Sequence, residues 1–319
     1  MVQTRSLYRN SMAALCIAAL LMLLLFSEDV SLYATQGLEL WAYSVLPVLF
    51  PSIILSKFWI YYQVPEELIQ TSRRLFRRKS LLSETLPLMI LGLCSGLPIG
   101  AIYVRHFYEN GLLPRRAAER LLPLCSFVSP VFLLGYVYRL LGESLWQTTK
   151  KQWHIMLFCL YAPLILLYIV MILQEKKANY RCRPSGAHPS VRKCAEGKGS
   201  IRQIWLSSLE IIATIGIYIM LFSILFGLSE KLPVSGSVPF LFFLSNLEVT
   251  TGSQFIITAR IGGHMLSSAL LLSALSLGGL CSLAQIGSVV SGSGLSIKPY
   301  VRLKLMSALL TVLLCLLLL

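Results

Sequence analysis

The sequence has few charged residues, and this scarcity excludes a water-soluble globular protein. Only 13% of its 319 residues are charged, whereas 56% are hydrophobic, and the mean hydropathy is +0.72. A chain of this composition cannot cover its apolar segments with a solvated surface. We therefore expect a membrane protein whose main partner is the lipid bilayer.

Sequence motifs of the common enzyme and metal sites are also missing. The eight cysteines form no C-x-x-C pair, and Cys182, His188 and Cys194 do not have the spacing of a zinc site. There is no H-E-x-x-H, no P-loop and no dinucleotide-binding sequence. Residues 291–294 (SGSG) with His264 lack the organised nucleophile and base of an intramembrane serine protease. The sequence thus predicts no catalytic residue, no metal site and no cofactor.

Acidic residues number 14 against 28 basic ones, which gives a formal charge of +14. The basic residues do not follow a helix face or alternate with stacking aromatics, so we expect no nucleic acid partner. They concentrate in three short segments between apolar runs, which the positive-inside rule places in the cytoplasm. These segments are residues 73–79, 105–120 and 176–202.

Long apolar runs are the most abundant feature of the chain. About 20 apolar residues in a helix cross a bilayer core, and most of the runs approach that length. The sequence therefore predicts an all-α polytopic protein of the cell membrane with about seven to nine membrane segments. The runs are residues 12–26, 41–62, 86–104, 121–141, 153–173, 204–228, 239–259, 265–290 and 303–319.

Charge and composition divide the chain into four parts. Residues 1–40 are expected to be an uncleaved helix followed by an external loop, because no small-x-small cleavage site follows the first apolar run. Residues 175–203 are rich in Pro, Gly, Ser and charge, which predicts a basic cytoplasmic linker. The remaining parts, 41–174 and 204–319, are predicted to be two related repeats.

An internal match supports the two repeats. GLCSGLPIG at residues 92–100 and GLCSLAQIG at residues 279–287 agree at six of nine positions. The run at 86–104 has basic segments at both ends and is broken by glycines and Pro98, which predicts a re-entrant hairpin. The second repeat starts by leaving the cytoplasm and the first by entering it, so inverted topology is expected, as in many secondary transporters. The loop before the last run contains the basic residues Lys298, Arg302 and Lys304. These residues favour a cytoplasmic position for the loop, against this expectation.

One polar group lies inside an otherwise apolar run. Residues 242–252, FFLSNLEVTTG, contain an acid, an amide and three hydroxyls. An ionisable residue in a membrane is costly unless it faces a cavity or a partner, so Glu248 is the leading candidate for a functional residue. A carboxyl in such a site can take up a proton, which suits coupling to a proton or cation. The alternative is that the run ends there and the carboxylate lies among the headgroups. The candidates for solute binding are Asn246, Glu248, Thr250, Thr251 and Gly252.

The broken segments supply further candidates. Their backbone groups and side-chain dipoles could contact a solute, and their helix ends could attract ions. An alternative is that their small residues only allow helices to pack closely. The candidates are Ser95, Gly96, Pro98, Gly100, Gln285 and Ser288, whereas Ser129-Pro130 is interpreted as a structural kink.

The order of five segments resembles the nucleoside-recognition, or Gate, domain membrane proteins, and most of all the YlbJ-type sporulation integral membrane proteins. The segments are residues 41–55, 91–101, 109–135, 247–252 and 277–289, and the resemblance covers residues 41–319. It implies a transporter-like fold and a role in spore envelope or cortex formation, in the mother-cell or forespore membrane. By this resemblance Gly96, Pro98 and Gly100 match the family's hairpin, and Glu248, Thr250 and Gly252 match its acidic motif.

Two hypotheses for function follow. The first is a sporulation-associated permease for a small polar solute, with Glu248 and the hairpins at its site. The second is a non-transporting scaffold that keeps the fold and recruits spore envelope proteins through its basic loops. The sequence leaves open the solute, the coupled proton or cation, and whether the chain forms a homo-oligomer.

Overall fold

The computed structural model describes residues 23–76, 81–143, 149–177, 201–231, 237–259 and 263–319, together with residues 17, 20 and 21. All regular structure in these residues is helical. Six helices in this part of the chain are long and apolar enough to cross a membrane. The prediction of an all-α, multi-pass membrane protein is therefore confirmed. Most of the first apolar run and of the basic linker, including Cys182, His188 and Cys194, lies outside the described residues.

The helices are numbered along the chain. They are α1 (Ser27–Leu40), α2 (Leu46–Tyr61), α3 (Val64–Leu75), α4 (Leu81–Ser95), α5 (Ile99–Glu109), α6 (Arg115–Cys125), α7 (Pro130–Phe132), α8 (Tyr138–Glu143), α9 (Lys150–Lys177), α10 (Ile201–Glu230), α11 (Val238–Ser245), α12 (Val249–Ala259), α13 (Gly263–Leu277), α14 (Gly279–Val290) and α15 (Lys298–Leu318). Short π-helical segments, Trp41–Val45 and Leu133–Val137, join α1 to α2 and α7 to α8.

Two of the six candidate spans are interrupted. Broken helix 1 comprises α6 to α8 and loses its helical conformation at residues 126–129, ahead of Pro130. Broken helix 2 comprises α13 and α14 and is interrupted at Gly278. Gly278 and Gly279 have φ of +80° and +79°, a conformation that only glycine adopts at little cost. Residues 279–287, expected to form a broken hairpin, are continuous helix within α14 because the interruption precedes them.

Two further apolar runs fold back as pairs of short helices. Helix pair 1 is α4 and α5, joined at residues 96–98, and helix pair 2 is α11 and α12, joined at residues 246–248. The longest arm, α4, has 15 residues and is therefore about 22 Å long. A bilayer core is about 30 Å thick, so no single arm crosses it alone.

Helix α1 occupies residues that were expected to form an external loop. It packs along α10, where small residues allow close approach. A Cβ on Gly37 would lie 2.8 Å from Ser223 Cβ, and one on Gly227 would overlap the ring of Tyr33. The close fit against α10 explains why this polar stretch is helical.

Polar contacts between helix ends show which of them lie at the same end of the molecule. At the basic end, Arg73 Nη2 lies 2.7 Å from Glu84 Oε1, and Arg105 Nη1 donates to the Val289 carbonyl at 2.6 Å. At the opposite end, Lys231 pairs with Asp29. The start of α4 and the end of α5 therefore both lie at the basic end. Helix pair 2 follows Lys231 and begins at the opposite end.

Candidate functional site

A cavity of about 60 Å³ lies where the two helix pairs and the two broken helices meet. Each of the four contributes a wall residue from its interruption: Leu97, Ser129, Glu248 and Gly278. Apolar side chains complete much of the wall, namely Val45, Leu49, Val128, Phe132, Ile215, Ile219 and Val249. The cavity has room for about two water molecules and is well below the roughly 300 Å³ of a typical organic ligand site. In the described conformation the cavity is therefore too small for an organic solute.

Glu248 supplies the carboxylate in the cavity wall, and its side chain is 2% exposed. Its Oε1 accepts hydrogen bonds from the Thr250 amide and hydroxyl, both at 2.9 Å. Its Oε2 accepts from the Thr251 amide at 2.6 Å. The carboxylate thus caps the positive end of α12. A carboxylate offers about four lone-pair directions, so it can accept one further donor.

The tip of helix pair 2 docks on the start of α14. The Asn246 carbonyl accepts from the Leu280 amide at 2.7 Å, and the Leu247 carbonyl accepts from the Cys281 amide at 3.0 Å. These bonds satisfy amides that a helix N-terminus leaves without an intrahelical partner. The contact favours a glycine, because Gly279 has φ of +79° and a Cβ there would lie 3.2 Å from the Asn246 carbonyl oxygen.

The tip of helix pair 1 packs on the interruption of broken helix 1. Gly96 has φ of +74°, and a Cβ there would lie 2.8 Å from Ser129 Cβ. A Cβ on Gly100 would overlap the Cys125 carbonyl. Ser129 Oγ accepts from the Phe132 amide at 3.2 Å and so caps the second part of broken helix 1. Ser129 therefore both starts the helix, as its kink interpretation suggested, and lines the cavity.

Three of the residues proposed from the sequence line the cavity: Glu248, Thr250 and Gln285. The Thr250 carbonyl accepts from the Tyr136 hydroxyl at 3.0 Å, which ties helix pair 2 to broken helix 1. Gln285 Nε2 donates to Cys281 Sγ at 3.3 Å. Thiols are weak acceptors, so this amide keeps most of its capacity to bind a solute.

Four polar candidates lie beside the cavity rather than in its wall. Asn246 donates to the Phe242 carbonyl at 2.8 Å, and its Oδ1 is buried without a partner among the described residues. Ser95 Oγ accepts from Ser56 Oγ at 2.8 Å. Ser288 Oγ donates to the Gln285 carbonyl at 2.7 Å. Thr251 pairs with Ser223, with 3.2 Å between their hydroxyl oxygens.

The remaining candidates shape the backbone. Gly96 and Gly100 allow helix pair 1 to approach broken helix 1, and Pro98 precedes the first residue of α5. Gly252 allows α12 to approach α11, because a Cβ there would overlap the Ser245 carbonyl. None of these four is among the residues that line the cavity. Their contacts correspond to close packing, the alternative that the sequence left open.

A second cavity of about 530 Å³ lies between α1, α10 and α12. Thr251 and Ser223 form part of its wall, and Glu39 and Glu230 give it an acidic lining. The Thr251 amide donates to Glu248. A single hydrogen bond therefore links the wall of this larger cavity to the wall of the smaller one.

Sequence reasoning missed several residues of the site. Cys281 and Ser282 line the cavity, but small residues in apolar helices carry no distinctive signal. Outside the cavity wall, Lys304 was assigned to the loop before the last run, yet it lies inside the protein with 3% exposure. The signal was available, because Lys304 is an ionisable residue among apolar ones, like Glu248.

Comparison of the chain with protein-family models, curated proteins and solved structures gives no match. Its function is therefore inferred from its sequence and its geometry.

Proposed function

We propose that the chain is a transporter or permease for a small polar solute, with the cavity at Glu248 as its solute site. The observation that carries this proposal is that four interruptions of helical structure meet at one buried carboxylate. Non-helical backbone at membrane depth is tolerated where it is buried in protein or lines a wet cavity. An intramembrane charge is likewise costly and is retained mainly at functional sites.

The order of elements supports two inverted repeats as part of this proposal. The first repeat comprises α2, helix pair 1, broken helix 1 and α9, and the second comprises α10, helix pair 2, broken helix 2 and α15. Helix pair 1 would be a re-entrant hairpin from the basic end and helix pair 2 one from the opposite end. Lys298 at the start of α15 then lies at the basic end, in agreement with the positive-inside rule. Secondary transporters place their sites between such repeats.

In this scheme the two hairpin tips, residues 96–98 and 246–248, are equivalent. The internal match between residues 92–100 and 279–287 falls on non-equivalent elements, a helix pair and the continuous helix α14. Both elements need small residues because both pack closely at an interruption. Shared close packing accounts for the matched glycines at 92 and 279, but not for the match of Gly100 with Gly287.

The lining of the cavity suits a neutral or cationic polar solute. It offers a carboxylate, the Gln285 amide and the hydroxyls of Ser129, Thr250 and Ser282, framed by apolar walls. These groups bind hydrogen-bond donors, and the carboxylate repels anions. The cavity would have to widen to admit such a solute, since its volume is only about 60 Å³. The resemblance to sporulation proteins adds the proposal that this solute is needed for the spore envelope or cortex.

Two measurements on Glu248→Gln test the function, with Glu67→Gln as the control because Glu67 is an exposed carboxylate on α3. In proteoliposomes, a panel of radiolabelled nucleosides, amino acids and monosaccharides is screened for uptake by the wild type. Glu248→Gln is expected to lose any uptake found, whereas Glu67→Gln keeps it.

In a spore-forming host without its own copy of the gene, Glu248→Gln is expected to fail to restore spores at normal membrane abundance. Normal spore formation by this variant would contradict a working carboxylate. It would favour the scaffold hypothesis, in which the basic loops rather than the cavity carry the function.

A further inference from the structure

Lys304 is a lysine whose side chain is buried inside the protein. It lies in the second turn of α15 with 3% exposure. Its Nζ donates to the Ser276 carbonyl at 3.2 Å and lies 4.4 Å from the centre of the Phe127 ring. No carboxylate of the described residues lies within 4.0 Å of it. The ammonium is therefore held by a carbonyl and an aromatic face, and not by an acid.

This environment compensates the burial of a charge only in part. Removing an ammonium from water costs several kcal/mol even after the protein relaxes. One charge-assisted hydrogen bond and one cation–π contact recover a fraction of this. An apolar residue of similar size would meet no such cost. The charge at this position is therefore better explained by a role than by stability.

The position of the charge indicates the role. Ser276 lies in the last turn of α13, directly before the interruption at Gly278. Phe127 lies in the interruption of broken helix 1. Nζ therefore meets the negative, carbonyl end of a half-helix at the point where the two broken helices approach each other. In transporters with broken helices, such carbonyl ends coordinate the coupling cation.

The surroundings of this point are rich in oxygen. Ser276 Oγ lies 3.0 Å from Ser307 Oγ and 3.5 Å from Thr311 Oγ1. Ser126 Oγ, next to Phe127 in the chain, is buried without a partner among the described residues. Carbonyl and hydroxyl oxygens are the ligands that hard monovalent cations take.

We infer that the Lys304 ammonium is a tethered cation that occupies a monovalent-cation site at the carbonyl end of α13. The wild-type protein then needs no free Na⁺ or K⁺ at this position. One consequence of the inference rests on the proposed function: a transporter with a lysine ammonium in this site would not couple solute transport to Na⁺ there. Occupancy of the site itself does not depend on transport.

The test removes the tether and supplies a free cation. Lys304→Ala is purified in detergent and its melting temperature is measured in N-methylglucamine chloride, with NaCl or propylammonium chloride added at constant ionic strength. Propylammonium restores the missing part of the side chain. We expect it to raise the melting temperature of Lys304→Ala saturably, by about 3–5 °C at a hundredfold excess over Kd. The wild type should melt at one temperature in all three salts.

Two control variants separate this effect from general salt effects. Lys298→Ala removes an exposed charge from the start of the same helix, and Lys304→Met fills the space without a charge. Neither should respond to propylammonium. An absence of any cation response in Lys304→Ala, or an equal response in Lys304→Met, would overturn the inference.

A second measurement does not depend on the folding of any variant. A saturable, Na⁺-specific rise in the melting temperature of the wild type would also overturn the inference, because the site would then be vacant in the native protein. If uptake is found in proteoliposomes, it should be equally fast in Na⁺ and in N-methylglucamine. A failure of the transport proposal would leave the melting experiment unaffected.

Discussion

Glu248 combines two roles at the level of a single residue, since it caps α12 and also faces the cavity. Glutamine at this position keeps one acceptor oxygen but places an amide donor against the α12 amides. We expect Glu248→Gln to lose about 1 kcal/mol of stability, which lowers the melting temperature by about 1–2 °C. Thermal unfolding in detergent measures this, with Glu67→Gln unchanged.

This loss is small enough to leave the protein folded, so a loss of transport or of spore formation in Glu248→Gln would report on the site. A fall of more than about 10 °C would show instead that the carboxylate holds the fold together. It would also remove the variant as a functional test.

Gly100 and Gly142 form a matched pair of helical glycines. A Cβ on Gly100 would overlap the Cys125 carbonyl, whereas a Cβ on Gly142 would meet nothing within 4 Å. Alanine favours a helix by about 1 kcal/mol, but overpacking against backbone costs about 1–3 kcal/mol. We expect Gly100→Ala to lower the melting temperature and Gly142→Ala to maintain or raise it. Equal melting temperatures for the two variants would contradict the close contact between helix pair 1 and broken helix 1.

Three residues of the cavity wall, Glu248, Thr250 and Gln285, were predicted from the sequence because they are polar residues within apolar or broken segments. Glu248 was selected because an acid in an apolar run has few structural explanations. Lys304 has the same signal, but Lys298 and Arg302 nearby suggested a basic loop. Ser129, Cys281 and Ser282 reach the cavity through tertiary contacts, which neither hydropathy nor spacing records.

At the level of elements, Arg105 links the two proposed repeats at the basic end. It extends from α5 and donates to the Val289 carbonyl in the last turn of α14 at 2.6 Å. Its side chain is 36% exposed, so solvent screening limits this bond to about 1 kcal/mol. The bond holds the end of helix pair 1 against the end of broken helix 2.

Loss of this link should loosen α14 locally. We expect Arg105→Ala to accelerate amide hydrogen exchange in the last turn of α14 about fivefold, with little change in α9. Arg302→Ala, which removes an exposed charge from α15, serves as the control. Unchanged exchange in α14 would show that the bond does not restrain this end of the molecule.

The elements themselves were partly predictable. Residues 239–259 have the length and hydropathy of a span, but the structure has two helices there. The separation depends on Glu248 capping α12 and on the carbonyls of residues 246 and 247 binding α14. Helix pair 1 was easier to predict, because Gly96 and Pro98 lie between its arms and basic residues lie at both its ends.

For the whole molecule, the proposed inverted repeats predict which positions share a membrane face. In a cysteine-free background, single cysteines at Gln70 and Asn110 lie near the two ends of helix pair 1. Cysteines at Lys231 and Thr258 lie near the two ends of helix pair 2. All four positions are exposed. An impermeant maleimide should label the first two only from the cytoplasm and the last two only from outside. Labelling of Gln70 and Asn110 from opposite faces would exclude a re-entrant helix pair 1.

The overall class of the protein followed from composition, whereas the relation between its halves did not. Six candidate spans in the described residues agree with the polytopic prediction. The short match of residues 92–100 with 279–287 indicated a repeat but not its register, because small residues recur wherever helices pack closely. The register of the proposed repeats was assigned instead from the order of the helices in the structure.

The Cys281 sulfur in the wall of the cavity gives the protein an intrinsic reporter of occupancy. A solute that filled the cavity would shield this thiol from alkylation, and an opening of the cavity would expose it. With the other cysteines replaced, the rate of alkylation at Cys281 would rank candidate solutes by protection. Such a screen could identify the cargo before any radiolabelled compound is chosen.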